Sequence, residues 1–164
     1  LLTGENDPLL AASQEVLSRL GWTVSPSRSN PGELWLSRGD QIDAIARVVR
    51  SPGAANRSEI AQLAESVIAF WDEYEIEPKG ILLAQTWFSK TPAERTDPDF
   101  TPALQEFAGK KNLCLMSSLQ LLGMYKDLEM GGMSVEEMRK RMLETNGRLM
   151  GFTLDNNLAP GQTV

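Results

Sequence analysis

The stretch IDAIARVVRSPG, residues 42–53, predicts a buried β-strand that ends in a turn. Apolar residues fill most of the strand, and the SPG triplet supplies residues that favour a turn. Arg47 and Arg50 interrupt the apolar run, and side chains three residues apart on a strand point to opposite faces. Each arginine is therefore either a polar residue at the edge of a sheet or part of a functional site.

The segments around this strand predict its neighbours in a sheet. Upstream, WTVSP and ELWLS are typical of two short strands, which together with 42–49 form a three-strand meander. Downstream, apolar residues keep helical spacing from Ile60 to Tyr74, which predicts an amphipathic helix. GILLAQTWF and LCLMS are near-continuous apolar runs, a pattern typical of strands covered on both faces. Between them, Thr101 and Pro102 predict the start of a short helix.

Helices are also predicted at both ends of the chain. Asp7 precedes a proline, and this pair predicts the start of a first helix over 8–20. Capping-box spacings that begin at Ser117 and Ser134 predict helices in the C-terminal third. The order of elements predicts an α/β fold with a mixed five-stranded sheet, built from the meander plus crossover strands. Helices flank this sheet, and extra helices follow it.

The 164 residues fit one domain with a sizeable core. We expect the α/β domain over 1–126, a helical extension of the same domain over 127–153 and a flexible tail over 154–164. The sequence starts without Met, which favours a domain that belongs to a longer protein. No apolar run approaches the length that spans a bilayer, so no membrane partner is expected.

Composition narrows the possible functions. The net charge of −6 disfavours nucleic acid as a partner, because it repels a phosphate backbone unless cations are clustered. The chain contains no histidine, which excludes Ser–His and Cys–His catalysis and zinc sites built on imidazole. Its single cysteine, Cys114, lies in an apolar run and predicts a buried thiol without a disulfide. A reducing cytoplasm fits this cysteine usage best.

One family shares this order of elements. The pieces ELWLS, DAIARVVRSPG, NRSEIAQLAESV, KGILLAQTWFSKTPAERTDPDF and NLCLMSSLQLL, within residues 7–125, resemble the restriction-endonuclease-like, PD-(D/E)xK nuclease superfamily. That family has an acidic residue on its second strand, and an acid and a lysine two residues apart on its third. The resemblance implies that these groups hold a divalent metal and activate water.

The resemblance also implies that the metal site is degenerate in this chain. Glu33, at the head of ELWLS, stands in the first acidic position, and Arg50 stands in the lysine position. Val48 occupies the position of the second acid, and the neighbouring registers also lack a carboxylate there. Arginine replaces lysine poorly because it stays protonated and is bulkier. Metal-dependent hydrolysis is therefore not expected, and neither is a cofactor.

A carboxylate from the second helix offers the main alternative. Members of the superfamily can supply an acid from this helix, and Glu59 is the candidate here. Asn56 precedes Glu59 by three residues, however, and this capping-box-like spacing gives Glu59 an ordinary role at a helix start. Gln62 lies nearly opposite the apolar stripe of the helix and is expected to face solvent.

Three functions remain open on these grounds. The leading one is a non-catalytic nuclease-like domain that acts in assembly, dimerisation or regulation, with a second copy or neighbouring domains of a larger protein as partner. The alternative is a Mg²⁺-dependent nuclease built from Glu33, Glu59 and Arg50. The third is a sensor in which Arg50 or Arg47, with Gln85, binds an anionic small ligand or nucleotide. Outside that role, Arg47 is expected at the surface or an interface.

Overall fold

A computed structural model describes residues 8–88 and 98–152 of the chain. Five helices lie within these residues: α1 (Pro8–Arg19), α2 (Arg57–Tyr74), α3 (Pro102–Lys110), α4 (Ser118–Glu129) and α5 (Val135–Glu144). The same residues form six strands: β1 (Thr23–Pro26), β2 (Glu33–Arg38), β3 (Gln41–Arg50), β4 (Lys79–Gln85), β5 (Leu113–Ser117) and β6 (Gly147–Arg148). The predicted cap at Asp7 and the predicted tail over 154–164 lie outside the described residues.

The strands form one mixed sheet in the order β1-β2-β3-β4-β5-β6. β1, β2 and β3 pair antiparallel, so the predicted meander is confirmed. β4 pairs parallel with β3, and the connection between them contains α2. β5 pairs parallel with β4, and the connection between them contains α3. The predicted α/β class with a mixed sheet and flanking helices is therefore confirmed.

The predicted number of five strands is wrong, because β6 adds a sixth. β6 pairs parallel with β5, and the backbone N–H of Leu149 donates to the carbonyl of Leu115 at 2.8 Å. This strand lies in the stretch 127–153, for which helix alone is predicted. Two residues are too few to produce a periodic pattern in the sequence, and their pairing depends on the free edge of β5.

Two hydrophobic cores cover the two faces of the sheet. Ala44, Ala46 and Val48 of β3 contribute to the core beneath α1, α4 and α5. Ile45 and Val49 contribute to the core beneath α2 and α3. Successive strand residues alternate between faces, which is why this strand needs apolar residues at nearly every position.

The helix caps follow the sequence pattern. Asn56 accepts a hydrogen bond from the backbone N–H of Glu59 and caps α2. Thr101 caps α3 and Ser134 caps α5. At the start of α4, Ser117 and Gln120 form a complete capping box. Each of these caps satisfies a backbone N–H group that has no partner within its helix.

No helix within the described ranges combines the length and apolar character needed to cross a bilayer.

Candidate functional site

A cluster of charged and polar side chains lies between β2, β3 and α2. The antiparallel register places Glu33 directly opposite Arg47. Nη1 of Arg47 donates to Oε2 of Glu33 at 3.1 Å, and Nε of Arg47 donates to Oε1 of Glu59 at 2.9 Å. Nη2 of Arg47 donates to Oε1 of Gln62. One guanidinium therefore binds two carboxylates and one amide.

Helix α2 supplies the other side of this cluster. Glu59, Gln62 and Ser66 are spaced by three and four residues, and this spacing places them on one side of a helix. Oγ of Ser66 donates to Oε2 of Glu33 at 2.8 Å, so this oxygen accepts two hydrogen bonds. Nδ2 of Asn30 donates to Oγ of Ser66 at 3.4 Å. The cluster thus connects the β1–β2 loop, two strands and a helix.

Burial makes these contacts important for stability. The side chain of Glu33 is only 1% exposed, that of Arg47 is 17% exposed, and that of Glu59 is 26% exposed. A carboxylate removed from water loses its hydration and needs a compensating charge and hydrogen bonds. The guanidinium of Arg47 supplies the charge and one hydrogen bond to Oε2 of Glu33, since its donors diverge in a rigid plane. Oε1 of Glu33 is buried without a hydrogen-bond partner among the described residues.

The cluster does not fit the divalent metal that the resemblance implies. Glu33 and Glu59 would be the metal ligands, but both direct an oxygen at the guanidinium of Arg47. A divalent cation at this point would lie beside an arginine that is always protonated, and the two positive charges would repel. Within residues 8–88 and 98–152, no group of three or more histidine, cysteine, aspartate or glutamate residues is placed to hold a metal ion.

Arg50 lies on the other face of β3 and has different neighbours. Its Nε donates to Oε1 of Gln85, the paired residue at the end of β4, at 3.0 Å. Its guanidinium also stacks over the ring of Phe88, 4.5 Å from the ring centroid. Both Arg50 and Gln85 line a cavity of about 390 Å³ between α1 and α4. The two residues of the predicted anion site are therefore together, without Arg47.

The structure brings together only part of the predicted nuclease set. Glu33 and Glu59 meet, but they meet around Arg47, while Arg50 lies across the sheet from them. Arg47 is thus a largely buried partner of two carboxylates and not a surface arginine. Side-chain alternation explains the difference, because a residue three positions away on a strand points to the opposite face.

Gln62 and Ser66 are the members that the sequence-based prediction missed. Gln62 is exposed, as its position on the helix predicts, and yet its amide oxygen accepts a hydrogen bond from Arg47. The spacing of Glu59, Gln62 and Ser66 is visible in the sequence as a polar stripe. Only the register between β2 and β3 reveals that Arg47 and Glu33 face that stripe.

Burial also shifts the pKa values of two groups outside the cluster, Cys114 and Lys79. It raises the pKa of the Cys114 thiol to about 12, although the nearby Lys79 ammonium opposes the shift. Burial lowers the pKa of Lys79, against the attraction of Cys114 and Glu77. A raised pKa keeps a thiol protonated near neutral pH, which is typical of a buried cysteine in an apolar environment. The prediction of a buried cysteine is confirmed.

Comparison with known proteins identifies no relative. No protein-family model, curated protein or solved structure matches the chain.

Proposed function

We propose that this chain is a non-catalytic, restriction-endonuclease-like domain that acts in assembly, as a homodimer, in the reducing cytoplasm of the cell. The observation that carries the proposal is the position of Arg47. Its guanidinium hydrogen-bonds to both carboxylates that a metal would need, Glu33 and Glu59. A domain with this arrangement keeps the sheet of a nuclease and uses its polar cluster to hold β2, β3 and α2 together.

The nuclease alternative needs a different arrangement of the same residues. Hydrolysis would require Glu33 and Glu59 to hold Mg²⁺ and a nearby cation to orient the attacking water. Arg50 is the cation in that hypothesis, but it contacts Gln85 and Phe88 on the other face of β3. These contacts favour the non-catalytic function.

An exposed stripe on α2 supports the assembly part of the proposal. Ile68 is 62% exposed and Trp71 is 47% exposed, which is high for large apolar side chains. With Asp72 and Glu75 they line an open groove of about 470 Å³. Contiguous exposed apolar surface with a polar rim is typical of a protein interface.

A second copy of this chain is the occupant that fits the stripe. Arg57 is exposed at the start of α2, and its guanidinium stacks 4.0 Å from the ring centroid of Phe107. Glu75 is exposed at the other end of the helix. In an antiparallel pair of α2 helices about a two-fold axis, Arg57 of each copy meets Glu75 of the other. The opposite charges then form one pair at each end of the interface.

In the middle of α2, the large side chains of one copy would lie opposite small side chains of the other. In the same antiparallel pair, Ile68 of one copy faces Ala64 of the other, and Trp71 faces Ala61. Large side chains opposite small ones allow two helices to pack closely. Because these residues occupy one side of α2, a single helix–helix contact buries all of them.

A metal titration tests the non-catalytic part of the proposal. Mg²⁺ and Mn²⁺ are titrated by isothermal calorimetry into the wild-type domain and into Glu33→Gln. We expect no saturable binding in either protein, since the guanidinium of Arg47 already pairs with both carboxylates and would repel a divalent cation. Saturable binding that disappears in Glu33→Gln would contradict the proposal and favour the nuclease alternative.

Light scattering after size-exclusion chromatography tests the assembly part. We expect a dimer for the wild type and a monomer for Ile68→Glu, which places a charge in the middle of the interface. Met130→Glu is the matched control, because Met130 is 76% exposed and lies outside α2. A wild type that stays monomeric up to high concentration would overturn the homodimer.

A charge exchange tests the antiparallel arrangement itself. Arg57→Glu places two acids at each end of the interface and should weaken the dimer. Adding Glu75→Arg restores opposite charges and should recover it. If the double variant is weaker than Arg57→Glu, the two residues do not meet and the α2 helices pair in another way.

A further inference from the structure

A mainly apolar cavity that is also lined by a charged residue lies at the carboxyl ends of the parallel strands. It has a volume of about 390 Å³ and lies between α1 and α4. The last residues of β3 and β4, Arg50 and Gln85, form its polar side. Ligands of open α/β sheets bind preferentially beyond the carboxyl ends of the strands. The place of this cavity in the fold is thus one where ligands are common.

Most of the cavity wall is apolar. Leu9, Ala12 and Val16 of α1 face Leu119 and Leu122 of α4 across it. The side of α4 is open to solvent, since Leu122 is 44% exposed. The volume lies within the range of about 300–1,000 Å³ that is usual for small-molecule sites. The wall therefore favours an apolar ligand body of small size.

Arg50 is held in position at the mouth of this cavity. Nε donates to Gln85, and the guanidinium plane rests on Phe88. These two contacts leave the terminal Nη1 and Nη2 groups without a hydrogen-bond acceptor among the described residues. Two parallel N–H donors of one guanidinium match the two oxygens of a carboxylate. By contrast, Arg47 has no unused nitrogen.

We propose that this cavity binds a small monocarboxylate with an apolar body, whose carboxylate pairs with the terminal nitrogens of Arg50. The apolar body would lie between α1 and α4. A volume of 390 Å³ corresponds to about thirteen water molecules at roughly 30 Å³ each, so a chain of about eight carbon atoms fits. The net charge of −6 favours a monoanion over a phosphate dianion, because each added negative charge is repelled by the protein.

This proposal goes beyond assembly and is independent of it. The stripe with Ile68 and Trp71 lies on α2, which packs on the opposite face of the sheet from α1 and α4. The monomeric variant Ile68→Glu should therefore bind the carboxylate as well as the wild type does. Loss of the dimer and loss of the ligand would be two separate results.

Calorimetric titration with octanoate is the first test. We expect one-to-one binding with a Kd of about 1 mM or tighter. Acetate supplies the head group alone and 1-octanol supplies the apolar body alone, and both should bind more weakly. No binding of octanoate, or binding of 1-octanol as tight as that of octanoate, would overturn the proposal.

Substitutions then test the two parts of the site. Arg50→Met should weaken octanoate binding by about tenfold to a hundredfold, because a charge-assisted pair is lost. Its control is Arg148→Met, an exposed arginine outside the cavity. Equal affinities for wild type and Arg50→Met would contradict the role of Arg50.

A second pair of variants tests the apolar part by volume. Ala12→Phe places a ring in the cavity and should abolish binding, whereas Ala11→Phe alters an exposed neighbour that does not line it. Circular dichroism and thermal unfolding establish that each variant is folded. Octanoate binding that survives in Ala12→Phe would place the ligand elsewhere and overturn the site.

Discussion

Arg47 and Arg50 lie three residues apart on one strand and have opposite environments. Arg47 faces α2, where two carboxylates and an amide accept its hydrogen bonds, and its side chain is 17% exposed. Arg50 is exposed, contacts one amide and one ring, and faces an apolar cavity. The same residue type on the same strand thus serves stability on one face and leaves donors for a ligand on the other. The neighbouring elements, and not the arginine itself, decide between these roles.

The largest effect is expected from Arg47→Met. The substitution leaves the buried carboxylate of Glu33 without its counter-charge, and removing one partner of a buried ion pair costs about 3–5 kcal/mol. Urea unfolding followed by tryptophan fluorescence measures the change in the free energy of unfolding. A loss under about 1 kcal/mol would indicate an ion pair screened by solvent, as at exposed sites, and the contrast between the two faces would fail.

A double substitution separates the two sources of that loss. In Arg47→Met with Glu33→Met, both buried charges are removed, and apolar replacement of a whole buried pair is often close to neutral. We expect the double variant to recover at least half of the stability lost in Arg47→Met, also by urea unfolding. A double variant less stable than Arg47→Met would show that Glu33 stabilises the fold through Ser66 and not through Arg47.

A smaller effect is expected from Ser66→Ala. The hydroxyl donates to the buried oxygen of Glu33 that also accepts from Arg47, and a hydrogen bond to a charged group contributes about 1.5–3 kcal/mol. Ser18→Ala, at an exposed position of α1 where the hydroxyl donates only to the backbone carbonyl of Gln14, is the control and should change stability by less than about 0.5 kcal/mol. Equal effects of the two substitutions would mean that Ser66 contributes only its helix propensity.

The smallest effect is expected from Arg50→Met. Its side chain is exposed and forms no ion pair among the described residues, so the free energy of unfolding should change by less than about 0.5 kcal/mol. The same unfolding assay measures this value. A loss above about 2 kcal/mol would make Arg50 a structural arginine like Arg47, and the comparison between the faces would no longer hold.

Much of the fold was predictable because local rules produce it. The apolar runs of β3, β4 and β5 need cover on both faces, and the caps at Asn56, Thr101 and Ser117 act within four residues of the chain. β6 was not predictable, since two residues carry no periodic signal. Its existence depends on the edge that β5 leaves for pairing.

Only some members of the candidate site were predictable from the sequence, since Gln62 and Ser66 were missed. Glu33, Glu59 and the two arginines are recognisable as polar residues in otherwise apolar or amphipathic segments. Which arginine meets the acids depends on the β2–β3 register, and a shift by one residue turns every side chain to the other face. Glu33 therefore pairs with Arg47, although the resemblance noted in the sequence implies a site that combines it with Arg50.

The sequence by itself determined the α/β class, the meander, the helix caps and the absence of histidine chemistry, because each follows from residues close together in the chain or from composition. Only the tertiary structure decided that Arg47 pairs with both Glu33 and Glu59, and that Arg50 lies at the mouth of an apolar cavity. The physical reason is that contacts between distant segments depend on strand register and on which helix covers each face of the sheet.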